Sequence, residues 1–430
     1  MRSLHCIILT ISLVTGLSAY SQDIGYVRRV IDTLSSPTLE GRGYVNHGDR
    51  KAAEYIAGQF NEDGLIAFGS DYFQPYAFPM NTFPGEMRVI LDGKKLVAAR
   101  DFLVNASSPA IHGEYRILRI SKNNLKEKKD LAKLLRRFKN KIVLIDKEGI
   151  ENKQLLSLLD SLRYLSNTNA AGLAYITGSK LTWSVMAGRS VKSFPVLEIN
   201  RESLPPNPKK MRVDIENEFF SSYPTQNVLG YVRGSAQPDT FLVFTAHYDH
   251  LGRMGSDALF PGANDNASGT AMMLDIARHY SQPDNKPYYS MAFFAFSGEE
   301  AGLLGSTFCA DHSPIDPGNV KFLLNMDMVG TGSEGITMVN ATIFKEAYNR
   351  MVKINADNEY IRTVKERGES CNSDHCPFYR KGIPAVFVYS MGQEFGEYHN
   401  PDDISAKLPL TEYEDIFRLL VAFINGFQPR

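Results

Sequence analysis

The sequence predicts an α/β protein in which helices sandwich a mostly parallel sheet, with a smaller α/β domain inserted. Two strongly apolar runs, residues 241–245 and 291–296, stop abruptly at polar residues, as buried strands of a parallel sheet do. Runs at 320–330 and 382–390 have the same form. Because the carboxyl ends of parallel strands share one edge, the polar residues after these runs are expected to meet in one crevice.

The middle of the chain has a different pattern, a shorter β-α-β alternation without a cluster of candidate ligands. Its segments are three predicted strands and a leucine-rich helix: 141–146, 172–177, 194–199 and, for the helix, 155–165. The change of pattern predicts a second domain here, and the family resemblance described below implies that it is inserted between two parts of the main domain. The predicted ranges are 22–86 and 224–430 for the main domain and 87–223 for the insert.

Composition limits the partners of the chain. The 430 residues are 43% hydrophobic and 22% charged, with a formal net charge of −1. These values are typical of a globular protein and give no electrostatic attraction to nucleic acid or to an anionic membrane. We expect neither as a partner. The sequence leaves the oligomeric state open.

The N-terminus predicts export. Arg2 precedes an apolar run at residues 6–19, and Ala19-Tyr20-Ser21 fits the small-x-small pattern of a signal-peptide cleavage site. The run is too short for a typical membrane span. Residues 1–21 are therefore predicted to be a signal peptide, and the mature chain is predicted to be secreted or periplasmic.

Five imidazole and carboxylate residues lie at or near the ends of the predicted buried elements, and these groups form the usual ligand set for zinc. They are His247, Asp265, Glu300, Asp327 and His399. Taken singly, each is more often a helix cap or a satisfied polar group, but their shared position favours a metal site. Asp327 carries most weight, because an unpaired carboxylate in so apolar a run would cost several kcal/mol. His250 lacks that context and is interpreted as a loop residue.

These residues fall within motifs that resemble a known family. The motifs are AHYDHLG, GANDNASG, SGEE, NMDMVG and YHNPDD, in that order along the chain. They resemble the di-zinc aminopeptidases and their relatives, which include glutamate carboxypeptidase and glutaminyl cyclase. The resemblance spans essentially the whole mature chain. It implies the di-zinc exopeptidase fold, and it implies that the insert is a protease-associated domain.

The resemblance also implies the metal ligands. Two Zn²⁺ ions would be held, one by His247 and Asp327 and the other by Glu300 and His399. Asp265 would bridge both ions, and a hydroxide between them would attack the substrate. The three carboxylates and the hydroxide together balance the charge of two zinc ions, and zinc lowers the pKa of bound water to about 7.

Three further roles follow from the resemblance. Glu299 would act as the general base, and Asp249 would hydrogen-bond His247. Tyr398 would donate a hydrogen bond to the developing oxyanion, although a packed aromatic residue is equally consistent with its position. The peptide bond between Asp265 and Asn266 would be cis.

The segment ESCNSDHCPF has two interpretations. In an exported protein Cys371 and Cys376 can form a short-loop disulfide. Alternatively, Cys371, His375 and Cys376 can act as metal ligands. The resemblance favours the disulfide and implies that His375 lies near the substrate.

The sequence therefore predicts an exported zinc exopeptidase, most consistent with an aminopeptidase that removes N-terminal residues from peptides. Three alternatives stay open. The first two are a carboxypeptidase and a glutaminyl cyclase of the same fold. The third is a receptor-like binding protein without activity, and the complete ligand set argues against it.

Overall fold

The computed structural model describes residues 22–165 and 168–429 of the chain. The predicted signal peptide, residues 1–21, lies outside the described residues. Within the described ranges, no helix is both long enough and apolar enough to cross a membrane.

The N-terminal segment contributes two helices and two strands to the main domain. They are α1 (Ile24–Leu34), α2 (Gly48–Glu62), β1 (Ile66–Ala67) and β2 (Phe73–Thr82). Asp23 caps the N-terminus of helix α1, because its side chain accepts a hydrogen bond from the amide of Tyr26 at 3.0 Å. It buries residues at helical spacing, namely Val27, Val30, Ile31 and Leu34.

The insert forms a sheet of its own. Its elements are β3 (Met87–Leu91), β4 (Lys94–Leu96), β5 (Phe102–Val104), β6 (Ile111–Ile120), α3 (Lys128–Leu135), β7 (Lys141–Asp146), α4 (Lys153–Ser161), β8 (Gly172–Thr177), β9 (Val196–Asn200) and β10 (Lys210–Ile215). The strand order is β4-β3-β10-β6-β7-β8-β9-β5, and β6 to β9 are parallel. Helices α3 and α4 cover one face through buried leucines.

The C-terminal part completes the main domain. Its elements are β11 (Glu218–Val232), β12 (Gln237–His247), β13 (Gly252–Met254), β14 (Ala258–Phe260), α5 (Gly269–Ser281), β15 (Tyr289–Phe296), α6 (Leu304–Asp311), β16 (Val320–Met326), β17 (Gly335–Val339), α7 (Lys345–Asn358), β18 (Val364–Glu366), α8 (His375–Arg380), β19 (Ala385–Met391) and α9 (Tyr413–Asn425). Strand β11 pairs with β2 and β15, so the main sheet resumes at Glu218, ahead of the predicted boundary at 224.

The main sheet has the order β1-β11-β15-β12-β16-β19-β17-β18, with β2 paired to β11. Its four central strands, β15, β12, β16 and β19, are parallel, and antiparallel neighbours flank them on both sides. Helices α1, α2, α5, α7 and α9 pack on one face, and α6 and α8 on the other. Every residue of β15 is buried, because both faces of the sheet are covered. The predicted α/β fold is confirmed.

Arg42 joins the N-terminal segment to loops at the edge of the main sheet through hydrogen bonds. Its side chain is fully buried, and its guanidinium donates only to main-chain carbonyls. The acceptors and distances are Leu34 at 2.8 Å, Tyr248 at 2.6 Å, Pro261 at 2.7 Å, Gly262 at 2.7 Å and Asp265 at 3.2 Å. A guanidinium has five donors in a fixed plane, so one side chain holds loops that are distant in sequence.

Candidate metal centre

The candidate ligands converge at the carboxyl edge of the four parallel strands. His247 is the last residue of β12, and Asp327 directly follows β16. Nε2 of His247 lies 3.4 Å from Oδ1 of Asp265 and 3.3 Å from Oδ1 of Asp327. These three buried groups place their donor atoms close enough to hold one metal ion.

A second group forms around the other oxygen of Asp265. Nε2 of His399 lies 3.0 Å from Oδ2 of Asp265 and 3.1 Å from Oε2 of Glu300. Asp265 therefore faces both groups, one with each carboxylate oxygen. The structure brings all five predicted ligands together, and the peptide bond between Asp265 and Asn266 is cis, as the resemblance implies.

In both histidines the Nδ1 atom, on the side of the ring away from the carboxylates of the ligand groups, forms a hydrogen bond. This bond determines which ring nitrogen carries the proton. Nδ1 of His247 lies 3.2 Å from the carbonyl oxygen of Asp249, and Nδ1 of His399 lies 2.9 Å from that of Trp183. A carbonyl only accepts, so both Nδ1 atoms carry hydrogen. An Nε2 lone pair on a neutral ring would face carboxylate oxygens, so each Nε2 requires either a proton or a metal ion between itself and these oxygens. The residues present thus fit bound metal ions of the zinc type.

The neighbouring carboxylates raise the pKa of both histidines, which indicates that positive charge is favoured at these two positions. Burial opposes protonation of His399, but Glu300 and Asp265 raise its pKa to about 11. Burial also opposes protonation of His247, but Asp327, Glu299 and Asp265 raise its pKa well above the ordinary value. A divalent ion at each position satisfies the carboxylates without those extra protons.

Glu299 and Glu300 differ sharply although they are adjacent. Burial raises the pKa of Glu299 well above its ordinary value, and the neighbouring carboxylates of Asp374, Asp327 and Glu300 add to this, while His247 opposes it. Burial acts in the same direction on Glu300, but His399 and His250 hold its pKa well below the ordinary value. Glu300 is therefore suited to bind a cation, whereas Glu299 has a high affinity for a proton.

His250 belongs to this centre, although the sequence interpretation left it in a loop. The ring is fully buried, and its Nδ1 lies 2.7 Å from Oε1 of Glu300. Its donor atoms also lie close enough to Asp265 and Glu300 to share a metal ion with them. Because His399 faces both carboxylates through Nε2, we assign His250 to orienting Glu300. Its position in AHYDHLG, three residues after His247, was the available signal.

Asp249 has a different contact from the one predicted. The main-chain carbonyl of Asp249 accepts from His247, and its carboxylate Oδ1 lies farther away, at 3.7 Å from Nδ1. The carboxylate instead accepts from the amide of Glu299 at 3.2 Å and from the hydroxyl of Tyr44 at 2.8 Å. Burial raises its pKa to about 7. Asp249 thus holds the main chain of Glu299 as well as the ring of His247.

Asp403 is a second residue that the sequence interpretation missed. Its two carboxylate oxygens accept from the amides of Asn264 at 2.8 Å and Asp265 at 3.1 Å. Burial raises its pKa to about 7. Asp403 lies in the YHNPDD motif, four residues after His399, so one loop supplies a ligand and supports the shared aspartate.

The segment around residue 375 departs from the prediction in one respect. Cys371 and Cys376 form a disulfide, which excludes their use as thiolate ligands. His375 does not line the cavity. Its ring is buried behind Phe387, at 5.6 Å between centroids, and its Nε2 lies 2.8 Å from the carbonyl oxygen of Ser370. Helix α8 begins at this residue.

A cavity of about 290 Å³ opens onto the ligands. Tyr398 lines it, stacks on His399 with ring centroids 3.8 Å apart and stays 45% exposed, so its phenol can reach a bound molecule. The other lining residues outside the ligand set are Glu299, Met328, Arg367, Asn372, Phe387 and Tyr389. The sequence did not point to the wall residues 367, 372, 387 and 389, because they come from loops and from β19.

The fold and the site together define an α/β protein with a buried two-part cluster of candidate metal ligands at the edge of a parallel sheet. Residues 227–424 match the model of peptidase family M28. The predicted relationship to the metallopeptidase family that contains the zinc aminopeptidases is confirmed over these residues.

The sequence matches to curated relatives extend over part of the chain. Aminopeptidase YwaD of Bacillus subtilis is 31% identical over 236 residues, which are 51% of this chain and 48% of that protein. A probable leucine aminopeptidase of Arthroderma otae is 29% identical over 195 residues, 43% of this chain and 53% of that protein. The chain thus spans about half the length of these relatives.

A solved structure matches over nearly the full length. The zinc aminopeptidase BSAP from Bacillus subtilis has a TM-score of 0.68 and 20% identity, and the match covers 95% of this chain and 96% of that one. At this identity the likeness shows the fold, including the presence of a second sheet domain.

Asp265→Ala is expected to abolish stable metal binding, because both ligand groups lose the carboxylate that they share. In zinc-loaded protein, the wild type should lose thermal stability when a chelator is added, whereas the variant should start low and respond little. Metal analysis and thermal unfolding with and without chelator test this. Asp257→Ala, at an exposed aspartate, is the control and should behave as wild type. Wild-type metal content in Asp265→Ala would contradict the assignment.

Proposed function

We propose that this protein is a zinc-dependent exopeptidase, an aminopeptidase that releases N-terminal residues from peptides. The observation that carries the proposal is the sharing of Asp265 between two ligand groups, with Glu299 beside both. When bound, zinc supplies Lewis-acid polarisation of the peptide carbonyl and acidifies a water molecule. The named activities of the aminopeptidase relatives support the same reaction.

In this proposal Glu299 moves the proton. Its amide is fixed by Asp249, which aims the side chain into the cavity. The carboxylate takes a proton from the attacking water and delivers it to the nitrogen of the leaving amine. Burial raises the pKa of Glu299, which favours taking the proton from water, and with zinc bound this carboxylate would stay ionised before that step. Transfer to the basic amine then releases the proton.

The charged groups in the cavity wall favour binding of the amino end of a peptide. The carboxylates that line the cavity are those of Asp265, Glu299, Glu300 and Asp327. Bound zinc would balance the charge of Asp265, Glu300 and Asp327, which leaves Glu299 as the carboxylate that can attract an ammonium group. Arg367 is the guanidinium in its wall, and it lies 3.3 Å from the hydroxyl of Tyr389. A carboxypeptidase would need its terminal carboxylate bound by such a group, so this residue keeps that alternative testable.

The insert and the N-terminus complete the proposal. We infer that residues 87–215 are a protease-associated domain, because they form a separate sheet with a parallel β-α-β core between the two parts of the main domain. We also infer export through the segment at 1–21. The disulfide between Cys371 and Cys376 supports this, since such bonds persist in oxidising compartments.

Export predicts that the mature chain begins near Gln22. Expression of the full-length gene in a secreting host, followed by intact-mass measurement of the extracellular or periplasmic protein, tests this. Loss of the mass of residues 1–21 is the expected result. An intact N-terminus on a protein that stays in the cytoplasm would contradict it.

Metal content and end specificity test the function directly. Purified mature protein is expected to bind about two zinc ions and to cleave aminoacyl amides only when the amino group is free. The assay compares free, N-acetylated and C-terminally amidated forms of the same peptides. One zinc with cyclisation of N-terminal glutamine would indicate a cyclase. Cleavage that requires a free carboxylate would indicate a carboxypeptidase.

Glu299→Gln is expected to lower kcat by roughly 10²- to 10⁴-fold while zinc content stays unchanged, because the amide keeps the shape of the carboxylate and cannot accept the proton. Steady-state kinetics and metal analysis on the same preparation check both parts. Glu334→Gln, at an exposed glutamate, is the matched control. Unchanged turnover in Glu299→Gln would remove this residue from the mechanism.

A further inference from the structure

A loop of the insert lies directly against the candidate metal centre. This loop, residues 178–195 between β8 and β9, is called the strap below. Lys180 forms an ion pair with Glu397, two residues before His399. The amide of Ala187 donates to the carbonyl of Ala301, next to Glu300, at 3.3 Å. The strap therefore contacts the chain beside both ligands of the second group.

The closest contact is a reciprocal pair of hydrogen bonds between Trp183 and His399. The amide of Trp183 donates to the carbonyl of His399 at 2.9 Å. In the other direction, Nδ1 of His399 donates to the carbonyl of Trp183, also at 2.9 Å. One residue of the insert thus holds both the main chain and the ring of this ligand.

The side chain of Trp183 fixes the strap in this place. It is 4% exposed, and its indole Nε1 donates to the carbonyl of Val104 in β5 at 2.7 Å. Its ring packs on Phe260 of the main domain, with centroids 4.9 Å apart. The indole is held by the insert on one side and by the main domain on the other, so it has little freedom to shift.

We propose that Trp183 is a positioning residue for His399, and that the insert thereby controls metal binding in the second ligand group. By accepting from Nδ1, the carbonyl of Trp183 selects the tautomer whose Nε2 lone pair points at Asp265 and Glu300. Partners of this kind commonly change metal affinity by 10- to 100-fold. The inference rests on the proposed zinc site and goes beyond it, since it makes the insert part of the metal centre.

Coupling of this kind is reciprocal. If the seated strap favours zinc at His399, then zinc at His399 must favour the seated strap by the same factor. The amide of Trp183 reports on this directly, because its hydrogen bond ends on the carbonyl of His399. Bound zinc should therefore slow hydrogen exchange in the strap more than elsewhere in the insert.

The first experiment measures zinc affinity by competition with a metal-buffering chelator. Trp183→Ala is expected to weaken one of the two zinc sites by about 10- to 100-fold. Trp183→Phe, which keeps an aromatic ring against Phe260, should recover most of that loss. The control is Phe138→Ala, which removes a buried ring of the insert that packs among α3 and α4 and not against the main domain.

The second experiment uses wild-type protein, so it does not depend on a variant that folds. Hydrogen exchange is followed by mass spectrometry with zinc bound and after chelation. Exchange at residues 180–188 is expected to rise at least several-fold on chelation, while exchange in α4 of the same insert stays constant.

The outcomes separate this inference from the proposed function. Zinc binding by the wild type with unchanged affinity in Trp183→Ala, or with no change of exchange in the strap, would overturn the role of Trp183 alone. A wild type that binds no zinc would overturn the proposed function and this inference together. A loss of affinity in Phe138→Ala equal to that in Trp183→Ala would also overturn the inference, because it would show a general effect of insert stability.

Discussion

The physical constraint on which the structure depends is the crowding of buried carboxylates around Asp265. Its two oxygens lie within 3.4 Å of two imidazole nitrogens that also face Asp327 and Glu300. Such groups repel one another in a water-poor environment unless a cation lies between them. Much of the surrounding structure therefore serves to hold like charges in place.

Distant parts of the chain supply that support, mostly through main-chain atoms. Arg42 near the N-terminus donates to the carbonyl of Asp265, and Asp403 near the C-terminus accepts from its amide. Trp183 of the insert accepts from the ring of His399. The insert is thus joined to this edge of the sheet by a contact with a candidate ligand.

Local pattern predicted the fold well where strands are buried on both faces. Strands β7 and β8 have the bounds that the apolar runs indicated, and the runs at 241–245 and 291–296 lie within β12 and β15. The end of the insert was predicted late, at 223. Strand β11 crosses that position because its early residues pair with β2, and such long-range pairing leaves no local signal.

The sequence by itself determined the five candidate ligands, because each lies at or near the end of a predicted buried element and the carboxyl ends of parallel strands share one edge. Only the tertiary structure decided the supporting residues. His250 and Asp403 are residue types that can bind metal, yet they orient neighbouring groups. This difference depends on the distances from His250 to Glu300 and from Asp403 to the amides of residues 264 and 265. The bond from His399 to Trp183 joins positions 216 residues apart and ends on a carbonyl that every residue possesses. A contact made through the main chain leaves no mark in the sequence, so folding alone defines it.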